Sequence, residues 1–175
     1  MVLPKPLDGL YPPPFNNYIV LVPESDPVQL LKEQGEAIDA LYESIGEERS
    51  FFRYEEGKWS LKEVLGHIMD TERITSYRLM CAARGDQTPL PRHPDQFVNF
   101  TKFDRRPLAE LVAEYRAVRA ATLALVQGLE AEELGRTGVV NDTKTIASAL
   151  VYFIAGHAEH HLRIVRERYL PKLGQ

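Results

Sequence analysis

"IASALVYFIAGHAEHHLRIVRERY", residues 146–169, is the stretch on which the fold turns. Laid out at about 100° per residue, Ile146, Leu150, Phe153, Ile154 and Ile164 fall within about 80° of one direction, the mark of an amphipathic helix. His157 lies near the middle of that arc, with His161 about 40° to one side and His160 about 60° to the other. Glu159, Arg163 and Arg166 fall opposite. The spacing predicts a helix from about Thr145 to Tyr169, followed by Pro171 and Gly174, with three imidazoles turned towards an apolar interior.

Such a helix needs partners of matching length, and the rest of the chain supplies three. "SDP" places a cap at Ser25 or Asp26 and Pro27 at the first helical position, where its missing N–H costs nothing. Leu30, Leu31, Ile38, Leu41 and Ile45 then recur at helical spacing, and Gly46 is the expected stop. "SLKE" reads as a capping box from Ser60 to Glu63, with Trp59 and Val64 as a hydrophobic staple. That helix should run to Arg84 and end at Gly85. After "FDRRP", Pro107 opens a third, patterned by Leu108, Leu111, Val112, Tyr115, Val118, Leu123, Leu125 and Val126 on to about Leu129.

Residues 47–58 read as a medium loop, and residues 85–106 as a long one with three prolines and His93. A loop of that length in a compact domain is often functional, and a position over the site is expected for it. Residues 130–144 predict a short helical turn and then a turn at Asn141-Asp142. No alternating strand pattern stands out. The fold class is therefore all-α: one four-helix bundle over 25–170, an irregular N-terminal arm over 1–24 and a tail over 171–175.

A chain of 175 residues, 44% hydrophobic, can bury one proper core. No apolar run approaches the ~20 residues of a membrane span. The arm is broken by prolines at 4, 6, 12, 13 and 14 and does not read as a secretory signal. The single cysteine, Cys81, fits a cytoplasmic setting and reads as a small buried hydrophobe. A formal charge of -4 argues against nucleic acid, and Arg163, Arg166 and Arg168 suit the last turns of a helix.

Inward histidines carry a cost, because a buried polar group without a partner loses roughly 1–3 kcal/mol. A divalent cation resolves it by taking several imidazole lone pairs at once. His157 and His161, at i and i+4, project to a common point; His157 with His160 is the weaker pairing. The third ligand must come from elsewhere, and the candidates are His67, at the edge of its helix's apolar arc, and His93 in the proline-rich loop. Glu72 falls among Leu61, Leu65, Ile68 and Leu79, where it can support a ligand or bridge helices; a structural role fits it best.

"WSLKEVLGHIMDTE", followed some ninety residues later by "GHAEHHLRIV", resembles the DinB-like (DinB/YfiT) superfamily of metal-binding four-helix bundles. The resemblance covers roughly Ser25 to Leu170. It implies a three-histidine site at His67, His157 and His161, with His160 as a neighbour, holding a divalent metal ion, nickel or zinc. It further implies a thiol-dependent S-transferase or isomerase using a low-molecular-weight thiol such as bacillithiol, mycothiol or glutathione on a small electrophilic substrate, in a homodimer.

Three neutral ligands leave such an ion its full charge, which favours a thiolate or hydroxide in its open positions. The sequence has no cysteine beside a base, no G-x-S-x-G and no glycine-rich phosphate loop, so covalent catalysis by the chain itself is not expected. A metal-binding protein without turnover, acting in binding or stress response, is the alternative.

Overall fold

Four long helices and a short hairpin build the molecule, and the computed structural model describes residues 2–92 and 97–173. The bundle consists of α2 (Pro27–Arg49), α3 (Leu61–Ala83), α4 (Leu108–Gln127) and α6 (Ala147–Ile164). Two four-residue helices, α1 (Asn16–Ile19) and α5 (Ala131–Leu134), lie outside it. Two strands, β1 (Thr137–Val140) and β2 (Thr143–Ile146), complete the order. His93 and Gly174 lie outside the described residues.

The helix ends follow local chemistry. The Asp26 carboxylate accepts from the amides of Val28 and Gln29 at 3.0 and 3.2 Å, opening α2. Gly46, at φ 72° and ψ 169°, breaks that helix, and only a short helical turn continues past it. At α3 the capping box is complete: Ser60 Oγ accepts from the Glu63 amide at 3.0 Å and Glu63 accepts from the Ser60 amide at 2.8 Å. Gly85, at φ 77°, follows the other end. The last helix passes into a π-helical turn, Val165–Tyr169.

The hairpin departs from the expected pattern. Thr143–Ile146 pair antiparallel with Thr137–Val140, so the last helix begins at Ala147 and not near Thr145. Asn141 and Asp142 both take positive φ, 50° and 59°, as a tight two-residue hairpin turn demands. Four-residue strands are too short to show alternation in sequence.

The N-terminal arm is also more than irregular chain. It carries α1 and a 3₁₀ turn at Pro13–Phe15, and Tyr11, Phe15, Ile19 and Val22 are buried in the same core as α6. Phe15 packs on Phe153 with ring centroids 4.0 Å apart, and the Tyr152 hydroxyl donates to the Leu3 carbonyl at 2.5 Å.

One buried polar network ties the bundle together. Glu72 on α3, 3% exposed, accepts from Arg119 Nε at 2.9 Å and from Nη2 at 2.8 Å. Arg119 also donates to the Leu31 carbonyl at 2.7 Å, and Gln34 Nε2 donates to the Ala155 carbonyl at 2.9 Å. All four bundle helices meet in this chain of contacts. Glu72 therefore bridges helices and does not back a histidine. Among the described residues, no helix is long and apolar enough to cross a membrane.

Candidate metal centre

His67 leaves α3 two turns after its cap, on the border between core and cavity, and is half-buried. His157 and His161 leave α6 one turn apart; they are 5% and 9% exposed. Both Gly-His steps are places of close approach. A Cβ on Gly66 would meet the Phe103 ring at 2.3 Å, and one on Gly156 would meet the Tyr18 carbonyl oxygen at 2.2 Å.

The three rings point their Nε2 atoms at one another. His67 and His157 are 3.0 Å apart at Nε2, and His157 and His161 are 3.2 Å apart. One donor atom from each lies within 4.8 Å of the other two. A neutral imidazole nitrogen carries either one proton or one in-plane lone pair, so His157 Nε2 cannot serve both neighbours as hydrogen-bond partners. A cation removes that surplus. An ion about 2.0–2.1 Å from each imidazole nitrogen, with ligands at roughly 90–110°, holds those nitrogens about 2.8–3.4 Å apart. The two measured spacings fall in that range, so these residues could hold a metal ion.

Electrostatics favour the ligand form. Burial, and then the charges of His161, His67 and His160, hold the His157 imidazole well below its ordinary pKa. Burial first, then His67 and His160, pushes His161 down to about 2. Both therefore stay neutral at physiological pH with lone pairs available. His160 neighbours the cluster: its ring meets that of His161 edge-on at 5.1 Å and that of Tyr18 edge-on at 5.3 Å, and burial and then Arg163 lower its pKa.

Aromatic side chains frame the cluster. The Trp59 ring lies 4.7 Å from that of His67 and 6.3 Å from that of His161; Tyr18 lies 5.4 Å from His157. Trp59 was legible as a helix staple and as the start of the family motif, but not as a wall of the cluster, and Tyr18 not at all, because its approach depends on an arm that folds back from over a hundred residues away. The site opens into a cavity of about 480 Å³. Its walls include the three histidines, prolines 12–14 of the arm, Asn141 and Thr143 of the hairpin, and Arg92, Phe97 and Val98 of the long loop. The loop between α3 and α4 thus contributes wall to the cavity.

The arrangement has relatives. The solved structure of YfiT from Bacillus subtilis, described as a probable metal-dependent hydrolase with an unusual four-helix bundle topology, matches with a TM-score of 0.67. It is 20% identical, over 93% of this chain and 90% of that one. The DinB-like protein YjoA, also from Bacillus subtilis, matches with a TM-score of 0.60 and 17% identity, over 86% of this chain and 94% of that one. At these identities the likeness speaks for the fold. Comparison with curated proteins finds no match. The sequence profile of the DinB superfamily matches residues 30–165, a span that takes in all but the first three residues of the four bundle helices and all three histidines. The chain belongs to the DinB superfamily.

Proposed function

We propose that the protein is a metal-dependent enzyme whose ion is held by His67, His157 and His161, and that it activates a low-molecular-weight thiol for attack on a small electrophile. The observation that carries this reading is the convergence of three Nε2 atoms, two contacts at 3.0 and 3.2 Å, at the wall of a ligand-sized cavity. A bound nickel or zinc ion supplies Lewis-acid chemistry there, lowering the pKa of a thiol or water that enters its open positions.

The chain's own contribution is position and exclusion. His157 and His161 are fixed by one rigid helical turn, and the depressed pKa values keep them from competing for protons. Trp59, Tyr18 and Phe153 surround the rings with apolar surface, which strengthens electrostatic interactions inside. Among the described residues, Asp70 is the carboxylate in the cavity lining, and burial raises its pKa above the usual value. That makes it the candidate to carry a proton near the histidines.

Activation of water is the second reading, favoured by the likeness to YfiT and its description as a probable metal-dependent hydrolase. A cytoplasmic setting, with Cys81 free and buried, and a second copy of the chain as partner belong to the same proposal. The test is turnover of bacillithiol, mycothiol or glutathione with monochlorobimane, alongside a hydrolysis screen, in metal-replete wild type and His157→Ala. Thiol turnover lost in the variant supports the proposal. Full metal content with no turnover in either assay points to the non-catalytic alternative.

A further inference from the structure

Three buried cations stand out among the described residues, and two have the expected partner. Lys62 meets Glu47, and Arg119 meets Glu72. Arg78, 6% exposed, meets no carboxylate. Its Nη2 donates to the Pro91 carbonyl at 2.7 Å and to Asn141 Oδ1 at 3.4 Å. Its Nε is buried with no hydrogen-bond partner. Three of the five guanidinium N–H donors are therefore uncommitted. Burial holds its pKa below the ordinary guanidinium value, with no anion offsetting it. An unpaired buried charge is costly, and such a cost persists where a ligand completes the pair.

The position of Arg78 says what the ligand looks like. Arg78 lies eleven residues after His67 on α3, about 16 Å along the helix at 1.5 Å per residue. His67, Thr71, Ile74 and Arg78 follow one face of that helix, and all line the cavity. The histidines thus stand at one end of the cavity and the guanidinium at the other. Asp70, the lining carboxylate, sits near the histidine end and pairs with Arg73 at 3.1 Å. Arg92 adds a second guanidinium to the lining.

We propose that Arg78 recognises a carboxylate at the far end of an elongated small-molecule substrate whose reactive head sits at His67, His157 and His161. The placement of the head rests on the metal-centre reading; the carboxylate site does not. The planar guanidinium suits a carboxylate, and a charge-assisted pair of this kind is worth roughly tenfold or more in affinity.

The test uses calorimetric titration with pairs of thiols that differ only in the far group: mercaptooctanoate against mercaptooctanol, and mercaptoacetate against mercaptoethanol as a pair too short to span the cavity. Metal content is measured on the same samples. In wild type the long acid should bind at least about tenfold more tightly than the long alcohol, while the short pair shows no such gap. The gap should vanish in Arg78→Met and persist in part in Arg78→Lys. A residue that merely clamps Pro91 and Asn141 gives no preference for the acid. Should Arg78→Met fail to fold, the wild-type comparison and Arg78→Lys still decide. Equal binding of long acid and alcohol, an equal gap in the short pair, or no binding at all overturns the proposal. If that happens in metal-replete protein, the metal centre stands without it. A gap that depends on Arg78 in protein that takes up no metal supports the carboxylate site and contradicts the metal centre.

Discussion

The carbonyl oxygen of Tyr18 occupies the space that a side chain on Gly156 would need: a Cβ there would lie 2.2 Å away. The glycine before His157 thereby lets the N-terminal arm close against α6, and it brings the Tyr18 ring to the edge of the histidine cluster.

Gly156→Ala should therefore push the arm outward. Backbone meets backbone at this point, so neither side can yield by a rotamer change. A loss of about 1–3 kcal/mol, as in other overpacked cores, is expected in urea unfolding, together with faster proteolysis of the arm. The His157–His161 spacing is intrinsic to the helix, so metal uptake should persist. Wild-type stability in this variant would show that the arm does not pack as described.

Glu72→Ala should be more damaging to the fold and less relevant to the site. It strands Arg119, which is 4% exposed, without its carboxylate. Breaking a buried pair from one side costs roughly 3–5 kcal/mol. Equilibrium unfolding should show a loss of this order, with unchanged metal stoichiometry in whatever fraction remains folded. Loss of metal at full stability would instead place Glu72 in the site.

These two cases also mark what the sequence discloses. The Ser60–Glu63 capping box, the stops at Gly46 and Gly85, and the inward face of His157 and His161 are local, and each is legible within a few residues. His67 showed as a boundary position on one helix, but its meeting with α6 became an expectation only through the family resemblance. Nothing in the sequence singles out Arg78 or Arg119, because nothing within a turn of them reveals what they face. The hairpin strands were too short for a period to register. The arm's role rests on contacts as distant as Leu3 with Tyr152.

The histidines should make the metal-free protein acid-sensitive. Their folded pKa values lie below the unfolded value of about 6.5, so below that pH the unfolded chain binds more protons. Stability is then fully present above the unfolded pKa and falls as pH drops, down to the folded pKa, about 2 for His161. Each fully buried histidine contributes up to about 1.4 kcal/mol per pH unit within that window. Urea unfolding of apo protein at pH 7 and pH 5 should show this loss, reduced in His161→Gln. An equal pH dependence in wild type and variant would contradict the burial of a neutral His161.

Phe97, 39% exposed, presents its ring from the long loop to the cavity. If the protein turns over a thiol and an electrophile as proposed, Phe97→Ala should raise KM several-fold for them, with metal content unchanged. An unaltered KM would remove the loop from the binding surface.

The most direct measurement is diffraction from crystals of protein purified without chelator, with anomalous data collected across the nickel and zinc edges. The account predicts one anomalous peak among the Nε2 atoms of His67, His157 and His161, about 2.0–2.1 Å from each. It would be contradicted by well-ordered rings with no peak between them after soaking in both metals, or by a peak that engages only one of the three.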